Sequence, residues 1–562
     1  MRSSCFSREA LRQEDSAAAF QACKSPRPSW TAGRHNHLKP VGQQTPKRQP
    51  PHSAHTPFTL DSLPLWSMTT PMALSKRLLS FLCITTLLPL STRAQTMQSA
   101  PAPAEATEHA EAFAVIDAWL DSVQAYHHLP ALSAGVVIGD NLAWSKGYGT
   151  IDLRHTVPAS PQTIYSICSI SKLFTSIALM QQVEAGKVTL DAPLTTYLPW
   201  ASFKPPTGDT GPVTLRGLLT HSAGLPRESD TAYWTGPDFP FPTEAQIKAA
   251  LPNQSALYPA ERYFQYSNLG LTLVGETVEA VTHQPYIDYA QAHIISPLGL
   301  TDTRTHMPME LYGKQLAVAY SSIKRDGTRD VVKPFNARGI TPAAGYTSTV
   351  IDLGRFASWN FRLLRSDKPD VLKPSTLREM QRVQYMDPDW KISWGLGFEI
   401  DRRDDHTYVG HGGNCPGYQT AIHMRPDDET AVIVLNDTAE QVEPFVPPVF
   451  QLLDKRKGYK FKGSLPANVN LSDYTGHYAN MPWSSEEIIL PWAGGLATLV
   501  LPSADPANSI QFLKPKGNDT FRRVRKDGTE AEEVKFTRDA SGNVINYVSF
   551  SNVTIRTAPL AP

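Results

Sequence analysis

The segment Cys168-Ser-Ile-Ser-Lys172 places a serine three residues before a lysine, near the start of residues 164–185, which we predict to form a helix. Side chains three residues apart on a helix lie on one face. A lysine crowded by apolar neighbours at a helix N-terminus loses proton affinity and can act as a base toward a hydroxyl group. The serine N–H at the helix start can also help to hold an oxyanion. The segment therefore predicts a nucleophile, Ser169, and its base, Lys172.

The same four-residue pattern occurs again as Ser321-Ser-Ile-Lys324, so the pattern alone is weak evidence. The second copy runs directly into Arg325-Asp-Gly327, which is typical of a turn rather than a helix. We therefore interpret the second copy as chance.

A second motif, Tyr266-Ser-Asn268, stands directly before the apolar residues 269–281, which we predict to be helical. A phenol near an ammonium group can be held as phenolate and can relay protons to a leaving group. The side-chain amide of Asn268 can hold a substrate amide. Taken alone, the motif fits a packed tyrosine and a helix-capping asparagine at least as well.

The third motif is His411-Gly-Gly413, followed by Asn414-Cys-Pro-Gly-Tyr418. Glycines on a strand let a substrate backbone approach closely, as it must when a peptide adds to the edge of a sheet. The alternative is a glycine-rich turn that carries a surface histidine.

In this order the three motifs resemble those of the serine penicillin-recognising enzymes, which include class C β-lactamases, D-alanyl-D-alanine carboxypeptidases, D-aminopeptidases and related esterases. The resemblance covers about residues 108–453. Further landmarks of the family appear in the family's order at residues 218–226, 297–303, 343–345 with 352–353, and 394–397.

The resemblance implies an α/β (α+β) fold, in which an antiparallel sheet forms a sandwich with helices. It also implies a role for each matched residue. Ser169 attacks a carbonyl group, Lys172 and Tyr266 share the proton transfers, Asn268 orients the substrate, His411 and Gly413 line the site, and the amides of Ser169 and Asn414 form the oxyanion hole. Water then clears the acyl-enzyme, and the family's chemistry requires no metal or organic cofactor.

One departure bears on the substrate, because class C β-lactamases have a lysine where this chain has His411. A histidine is mostly neutral at pH 7 and binds a β-lactam carboxylate less well. This favours a D-peptidase or an esterase that acts on a small peptide, amide or ester, with a true β-lactamase as one alternative. A non-catalytic binding protein of the same fold is a second alternative, although such a protein would need none of Ser169, Lys172 and Tyr266.

The resemblance also leads to a disulfide prediction. Two amides that hold one oxygen lie within about 5–6 Å of each other, so their neighbours Cys168 and Cys415 can approach bonding distance. Some class A carbapenemases join the analogous pair. The alternative is two small buried thiols.

The order of predicted elements supports a sheet that joins both ends of a domain at residues 108–455. A hairpin at residues 132–138 and 142–148 comes first, a helical middle follows, and strands return at residues 394–400, 407–409, 419–425 and 430–436 before a helix at 442–454. Residues 456–469 read as a linker. The β-rich residues 470–562 resemble a lipocalin-like β-barrel, which could restrict access to the site, bind a partner or act as a stabilising lid.

The beginning of the chain reads as a targeting region. Residues 76–94 combine a basic pair, a short apolar run and small residues ending at Ala94, which predicts a cleavable signal peptide within residues 68–94 and a secreted or periplasmic protein. A buried helix is the alternative for this segment. Residues 95–107 read as a tether. Residues 1–67 show no sustained periodicity, and we expect a disordered, mis-called upstream extension.

The composition excludes some partners. The 562 residues include 53 basic and 53 acidic side chains, so the net charge is zero. This balance argues against a nucleic-acid partner. We also expect no stable membrane span.

Overall fold

The computed structural model describes residues 103–558, except 209, 231, 404 and 468. All of them belong to one compact unit, Thr96–Pro562. The predicted signal peptide and the upstream extension lie outside the described residues. Within the described ranges, no helix is both long enough and apolar enough to cross a bilayer.

An eight-stranded antiparallel sheet forms the centre of the region between residues 108 and 455, in the order β2-β1-β12-β11-β10-β9-β8-β7. Strand β1 pairs with β12 from Leu132 opposite Asn436 to Ile138 opposite Thr430, so the first hairpin lies beside the last strand of the sheet. The sheet therefore joins both ends of the region, as predicted. Its strands are β1 Ala131–Ile138, β2 Asn141–Gly149, β7 Tyr385–Met386, β8 Ser393–Trp394, β9 Glu399–Arg403, β10 His406–Cys415, β11 Tyr418–Arg425 and β12 Thr430–Asn436. Two small ribbons pair β3 Tyr165–Ser166 with β6 Thr347–Ser348, and β4 Ala319–Tyr320 with β5 Val331–Val332.

Helices cover both faces of this sheet, which explains why β11 and β12 are buried along their whole length. Helices α2, α5 and α8 contribute to the apolar core on one face, and α1 and α10 contribute to the core on the other. The helices are α1 Pro103–Tyr126, α2 Ser171–Glu184, α3 Leu215–Leu219, α4 Glu244–Ala250, α5 Asn268–Thr282, α6 Tyr286–Ala290, α7 Thr341–Ala344, α8 Val350–Arg365, α9 Pro374–Met380, α10 Val446–Arg456 and α11 Pro506–Ser509. A π-helical turn follows α6 at Gln291–Ile295.

The predicted helix at residues 164–185 is wrong at its beginning. Its first residues form β3, then a 3₁₀ turn at Cys168–Ile170, and α2 begins only at Ser171. The break occurs at Cys168, which has a φ of 50°, in the left-handed region that a regular helix does not contain. Ser169 therefore lies in a tight turn just before the helix, and Lys172 lies in the first turn of α2.

Two other boundaries also differ from the prediction. Residues 394–400 form two strands rather than one, because Gly397 has a φ of 83° and passes so close to Ser176 that a Cβ would overlap its side chain. The closing helix is preceded by a 3₁₀ turn, Glu443–Phe445. In contrast, β10 extends well beyond the predicted strand, to Cys415, and it carries the His-Gly-Gly motif on a strand.

The C-terminal region is a closed barrel in which each of eight strands pairs with the next and β13 pairs with β20. Its strands are β13 Gly476–Asn480, β14 Ser484–Trp492, β15 Gly495–Leu501, β16 Gln511–Gly517, β17 Thr520–Val524, β18 Glu530–Arg538, β19 Val544–Ser549 and β20 Asn552–Ala558. The barrel packs against α1 and α10. On α1, the indole N–H of Trp119 donates to Ser503 O at 2.9 Å, and Glu111 Oε2 accepts from the N–H of Ala493, between β14 and β15, at 2.8 Å. On α10, the Arg456 guanidinium carbon lies 5.8 Å from the ring centroid of Trp492. The prediction of an additional small β-barrel is confirmed.

Candidate active site

The amine of Lys172 lies 3.0 Å from the hydroxyl oxygen of Ser169. Nζ also lies 2.7 Å from Asn268 Oδ1 and 2.8 Å from the carbonyl oxygen of Ala343. Lys172 is fully buried, whereas Ser169 keeps 8% of its surface exposed. The structure therefore brings the predicted nucleophile and base together, with only the nucleophile reaching the surface.

Burial lowers the pKa of Lys172 well below its usual value, because a charged amine loses its hydration there. The carboxylate of Glu228 opposes this shift, and the guanidinium of Arg227 adds to it. A neutral amine at this position has a lone pair available for the Ser169 proton. The environment thus makes Lys172 a base.

Two basic side chains lie close to the ring of Tyr266. Lys172 Nζ is 4.8 Å from its ring centroid, and the Arg227 guanidinium carbon is 4.9 Å from it. Burial nevertheless raises the pKa of Tyr266, and the hydrogen bond with Ser169 and the charge of Arg227 reverse this only in part. The sequence favoured a phenolate, whereas this environment favours a neutral phenol that donates a proton.

Asn268 orients Lys172 in this structure. Its Oδ1 faces Lys172, and its Nδ2 donates to Glu228 Oε1 at 2.5 Å. The other carboxylate oxygen of Glu228 accepts a hydrogen bond from Tyr233. Both ends of the Asn268 amide are therefore engaged, so direct substrate binding by this residue stays a prediction. The helix cap is its neighbour Ser267, whose hydroxyl oxygen accepts from Gly270 N at 2.8 Å.

His411 lies on β10 with only 3% of its surface exposed. Its Nδ1 lies 2.5 Å from the carbonyl oxygen of Gly412, and because a carbonyl only accepts, Nδ1 carries the hydrogen. Burial is the main cause that lowers the pKa of His411 to about 3. Nε2 is then an acceptor, and it has no partner among the described residues. His411 presents a lone pair, not a positive charge.

His221 and Trp394 form an aromatic wall behind Tyr266. The ring of His221 lies 4.3 Å from that of Tyr266, and Trp394 meets the His411 ring edge-on at 5.6 Å. Burial lowers the pKa of His221 well below its usual value, and its Nδ1 accepts from Ser267 N at 3.1 Å. This wall fixes the position of the phenol without contributing a charge.

The turn of the nucleophile lies directly against β10. A disulfide joins Cys168 to Cys415, with their Cα atoms 5.7 Å apart, so Ser169 and Asn414 lie beside it on neighbouring segments. At Gly413 the segments are so close that a Cβ would overlap the carbonyl oxygen of Ile167. The arrangement places the two predicted oxyanion amides on adjoining backbones.

One edge of β10 is open beside the nucleophile. Strand β9 pairs with β10 only between His406 and Gly410, so within the described part of the chain residues 411–415 have no strand partner on that side. An extended substrate can pair with this edge, as β-augmentation requires.

The cleft above Ser169 has a volume of about 340 Å³. It is lined by Tyr266, Trp394, His411 and the glycines of β10, and charged side chains stand at its margins: Arg227, Glu399 and Glu443. Burial raises the pKa of Glu399, and Glu443 pairs with His423 at 2.9 Å. No group of three or more His, Cys, Asp or Glu side chains in the described ranges is placed to hold a metal ion.

Sequence reasoning missed Glu228, Arg227 and Glu399 as parts of the site. Glu228 lies 40 positions before Asn268 in the chain. It comes shortly after the landmark at residues 218–226, but no motif or regular spacing in the sequence indicates its role. His221 is inside that landmark, which is the one signal that could have identified it.

The site combines a nucleophile, a neutral base, a proton donor and adjoining backbone amides, which is the set of groups that acyl transfer requires. Residues 116–446 match the model of the Beta-lactamase family. The chain belongs to this family. The family is one of serine hydrolases of the β-lactamase type.

Relatives in sequence are distant. Protein flp of Staphylococcus aureus (strain MW2) is 25% identical over 346 residues, which is 60% of this chain and 66% of that protein. The human Serine beta-lactamase-like protein LACTB, mitochondrial, is 25% identical over 385 residues, which is 53% of this chain and 69% of that protein. The match with the staphylococcal protein thus spans just under two thirds of its length.

Two solved structures share the fold. The octameric penicillin-binding protein homologue of Pyrococcus abyssi superposes with a TM-score of 0.52, is 20% identical, and covers 79% of this chain and all of its own. EstCE1, a hydrolase with promiscuous acyltransferase activity, also superposes with a TM-score of 0.52, is 19% identical, and covers 63% of this chain and 99% of its own. At these identities the likeness concerns the fold alone.

Proposed function

We propose that this protein is an exported serine hydrolase that cleaves peptide, amide or ester bonds through an acyl-enzyme on Ser169, as a D-peptidase or an esterase. The observation that carries the proposal is the 3.0 Å separation of Ser169 Oγ from Lys172 Nζ, together with the burial that lowers the pKa of this lysine. A binding protein would gain nothing from a buried lysine in contact with a serine hydroxyl.

In the proposed reaction Ser169 Oγ attacks the substrate carbonyl carbon while its proton passes to the neutral amine of Lys172. The N–H groups of Ser169 and Asn414 hold the resulting oxyanion. As the carbon–nitrogen or carbon–oxygen bond breaks, the Tyr266 phenol gives its proton to the leaving group, and the Lys172 ammonium restores that proton to Tyr266. A water molecule then repeats the sequence on the acyl-enzyme and releases the acid.

The lone pair of His411 supports a peptide or ester substrate. A neutral acceptor in the cleft can take an N–H or O–H of the substrate, but it cannot neutralise a carboxylate. The second candidate, β-lactam hydrolysis, is favoured by Arg227, a guanidinium that lines the same cleft and is half exposed. In a D-peptidase or an esterase, His411 would select the substrate, whereas in a β-lactamase Arg227 would do so.

A substrate panel distinguishes them. We expect measurable kcat/KM with D-aminoacyl p-nitroanilides or short-chain p-nitrophenyl esters, little with nitrocefin, and none for Ser169→Ala. Arg227→Gln should leave hydrolysis of the uncharged ester within about threefold of wild type, whereas it should abolish nitrocefin turnover if the β-lactamase candidate is correct. Failure of the wild type to turn over any of the three substrate types would contradict the proposed activity.

Export is a separate part of the proposal. It is supported by the basic, apolar and small-residue pattern of residues 76–94 and by the disulfide, since disulfides persist in oxidising compartments. The intact mass of protein recovered from outside the cytoplasm should correspond to a chain that begins near Gln95. A mature species that retains residues 1–67 would contradict the proposed processing.

A further inference from the structure

The interior of the C-terminal barrel is divided into an apolar half and a polar half. Side chains two residues apart on a strand share a face, so each strand can be followed from one half to the other. On β14 the buried Ile489 is followed toward the open end by Glu487, and on β17 Phe521 is followed by Arg523. On three further strands an apolar or aromatic side chain is likewise followed, two residues away, by a polar one: Leu496 by Thr498 on β15, Leu513 by Gln511 on β16 and Tyr547 by Ser549 on β19.

The polar half is a cavity of about 210 Å³, which we call the polar cup; its lining includes Glu487, Thr498, Gln511, Arg523, Ser549 and Thr554. An eight-stranded barrel is wide enough either to be filled by its own side chains or to hold one small ligand. Here the apolar half is filled by aromatic rings, whereas the cup is open. The cup therefore has the dimensions of a site for one small molecule.

Two buried polar groups in the cup have no partner among the described residues. Ser549 is only 7% exposed, yet its hydroxyl makes no hydrogen bond. The Nε of Arg523 is buried without an acceptor. Leaving such groups unpaired costs free energy, so each points to a ligand that completes it.

The charges of the cup restrict the ligand. Glu487 is buried and accepts a hydrogen bond from the hydroxyl of Tyr547 at 2.6 Å, while the Arg523 guanidinium carbon lies 4.8 Å from the ring centroid of Phe550. One acid and one base balance each other, and the remaining polar side chains of the cup carry hydroxyls or amides. An anion would be repelled by the carboxylate of Glu487. A hydrocarbon would leave the polar groups of Arg523 and Ser549 without hydrogen-bond partners. Both classes of ligand are therefore disfavoured.

The rim of the cup carries exposed aromatic surface. Trp483, in the turn between β13 and β14, is 77% exposed, and Phe550, in the turn between β19 and β20, is 56% exposed. Aromatic rings at the edge of a polar cavity offer an apolar face to a ligand whose other edges form hydrogen bonds. A sugar ring has this character, since its C–H face is apolar and its hydroxyls both donate and accept.

We propose that the polar cup binds a neutral saccharide ring, with its apolar face against Trp483 and its hydroxyls on Glu487, Arg523 and Ser549. The site is distinct from the catalytic cleft, and the proposal does not depend on the proposed hydrolase activity. It gives the barrel a recognition function of its own.

Saturation-transfer NMR on the full chain tests this, with D-glucose, D-galactose and N-acetyl-D-glucosamine each at about 10 mM, which detects a Kd of about 1 mM. We expect transfer to the ring protons of at least one sugar. Trp483→Ala and Arg523→Gln should each raise the Kd by about tenfold or more. The matched controls are Trp390→Ala, an exposed tryptophan in the β7–β8 turn, and Arg522→Gln, the outward neighbour on β17; both should bind as wild type does.

Three results would overturn the proposal. The first is no saturation transfer to any of the three sugars, and the second is sugar binding that is unchanged in both Trp483→Ala and Arg523→Gln. The third is binding of glycine or acetate instead of a sugar. Because Trp483 is exposed, its replacement should not unfold the barrel, and circular dichroism of each variant checks this.

Discussion

The chain carries the Ser-x-x-Lys spacing twice, and the two copies differ in their surroundings. Lys172 is buried against Ser169, Asn268 and Ala343, and its pKa is lowered. Lys324 is exposed, and its hydrogen bond with Asp330 at 2.7 Å raises its pKa. The spacing is the same, but only the first copy has a base. Burial and the choice of hydrogen-bond partners, more than the spacing in the sequence, distinguish the proposed catalytic pair from the second copy.

The backbone also distinguishes the two copies. Ser169 follows a left-handed residue and precedes α2, so its hydroxyl faces the amine. Ser321 lies in a loop after β4, where its hydroxyl donates to Ser322 O at 2.9 Å and does not meet Lys324. The interpretation of the second copy as chance agrees with this geometry.

Replacing the nucleophile and the base should give the largest effect. We expect Ser169→Ala and Lys172→Ala to lower kcat/KM by at least about 10⁴-fold, because the two side chains act as one unit. The matched variants Ser321→Ala and Lys324→Ala should stay within about twofold of wild type. Steady-state kinetics with a p-nitrophenyl ester measures all four. A large loss of kcat/KM in the Ser321 or Lys324 variant would contradict the conclusion that only the first copy takes part in catalysis.

Removal of the disulfide should have the next largest effect. The bond closes a loop of 247 residues and holds the nucleophile turn against β10. Cys168→Ser with Cys415→Ser should lower the free energy of unfolding by about 2–5 kcal/mol, measured by denaturant titration. It should also lower kcat, because the oxyanion amides lose their fixed separation. Unchanged stability together with unchanged kcat would show that the bond has no role in positioning the turn.

Acid should destabilise the protein through His411. In the folded chain its pKa is about 3, against about 6.5 when unfolded, so the unfolded state binds the proton first. The stabilisation is complete above about pH 6.5 and is lost as the pH falls toward 3, by up to about 5 kcal/mol. His411→Gln should flatten this dependence, whereas His306→Gln, at an exposed histidine, should not. Equal slopes in wild type and His411→Gln would contradict the assignment.

Two neighbouring variants should shift the pH profile in opposite directions. Glu228 raises the pKa of Lys172 and Arg227 lowers it. Glu228→Gln should therefore move the acidic limb of kcat/KM to lower pH, and Arg227→Gln should move it to higher pH. These are the smallest effects that we expect. Shifts in the same direction would mean that the limb reports a group other than Lys172.

The sequence predicted the fold class and the residues that meet at the site. This was possible because the three motifs occur along the chain in the same order as in the family that they resemble. It did not predict where α2 begins, since the left-handed conformation of Cys168 depends on the packing of the turn against β10. It also did not predict Glu228, whose role arises from a contact with Asn268 across 40 residues. Long-range contacts of single residues leave no periodic signal in a sequence.

The barrel shows the same limit. The β-rich residues 470–562 resemble a lipocalin-like module, which predicted a small barrel, and the structure contains one. The polar cup could not be predicted from the sequence. Its lining depends on which positions of each strand face the interior at one end of the barrel, and the register between the strands determines these positions. Its lining residues Glu487 and Arg523 have no spacing in the sequence that relates them.

The most direct test of the catalytic account is the intact mass of the protein after brief exposure to benzylpenicillin or p-nitrophenyl acetate, followed by peptide mapping. The account predicts a single acyl group on the peptide that contains Ser169, formed by at least one of the two reagents and absent from Ser169→Ala. An acyl group on the peptide that contains Ser321, an adduct that persists in Ser169→Ala, or no adduct with either reagent would contradict it.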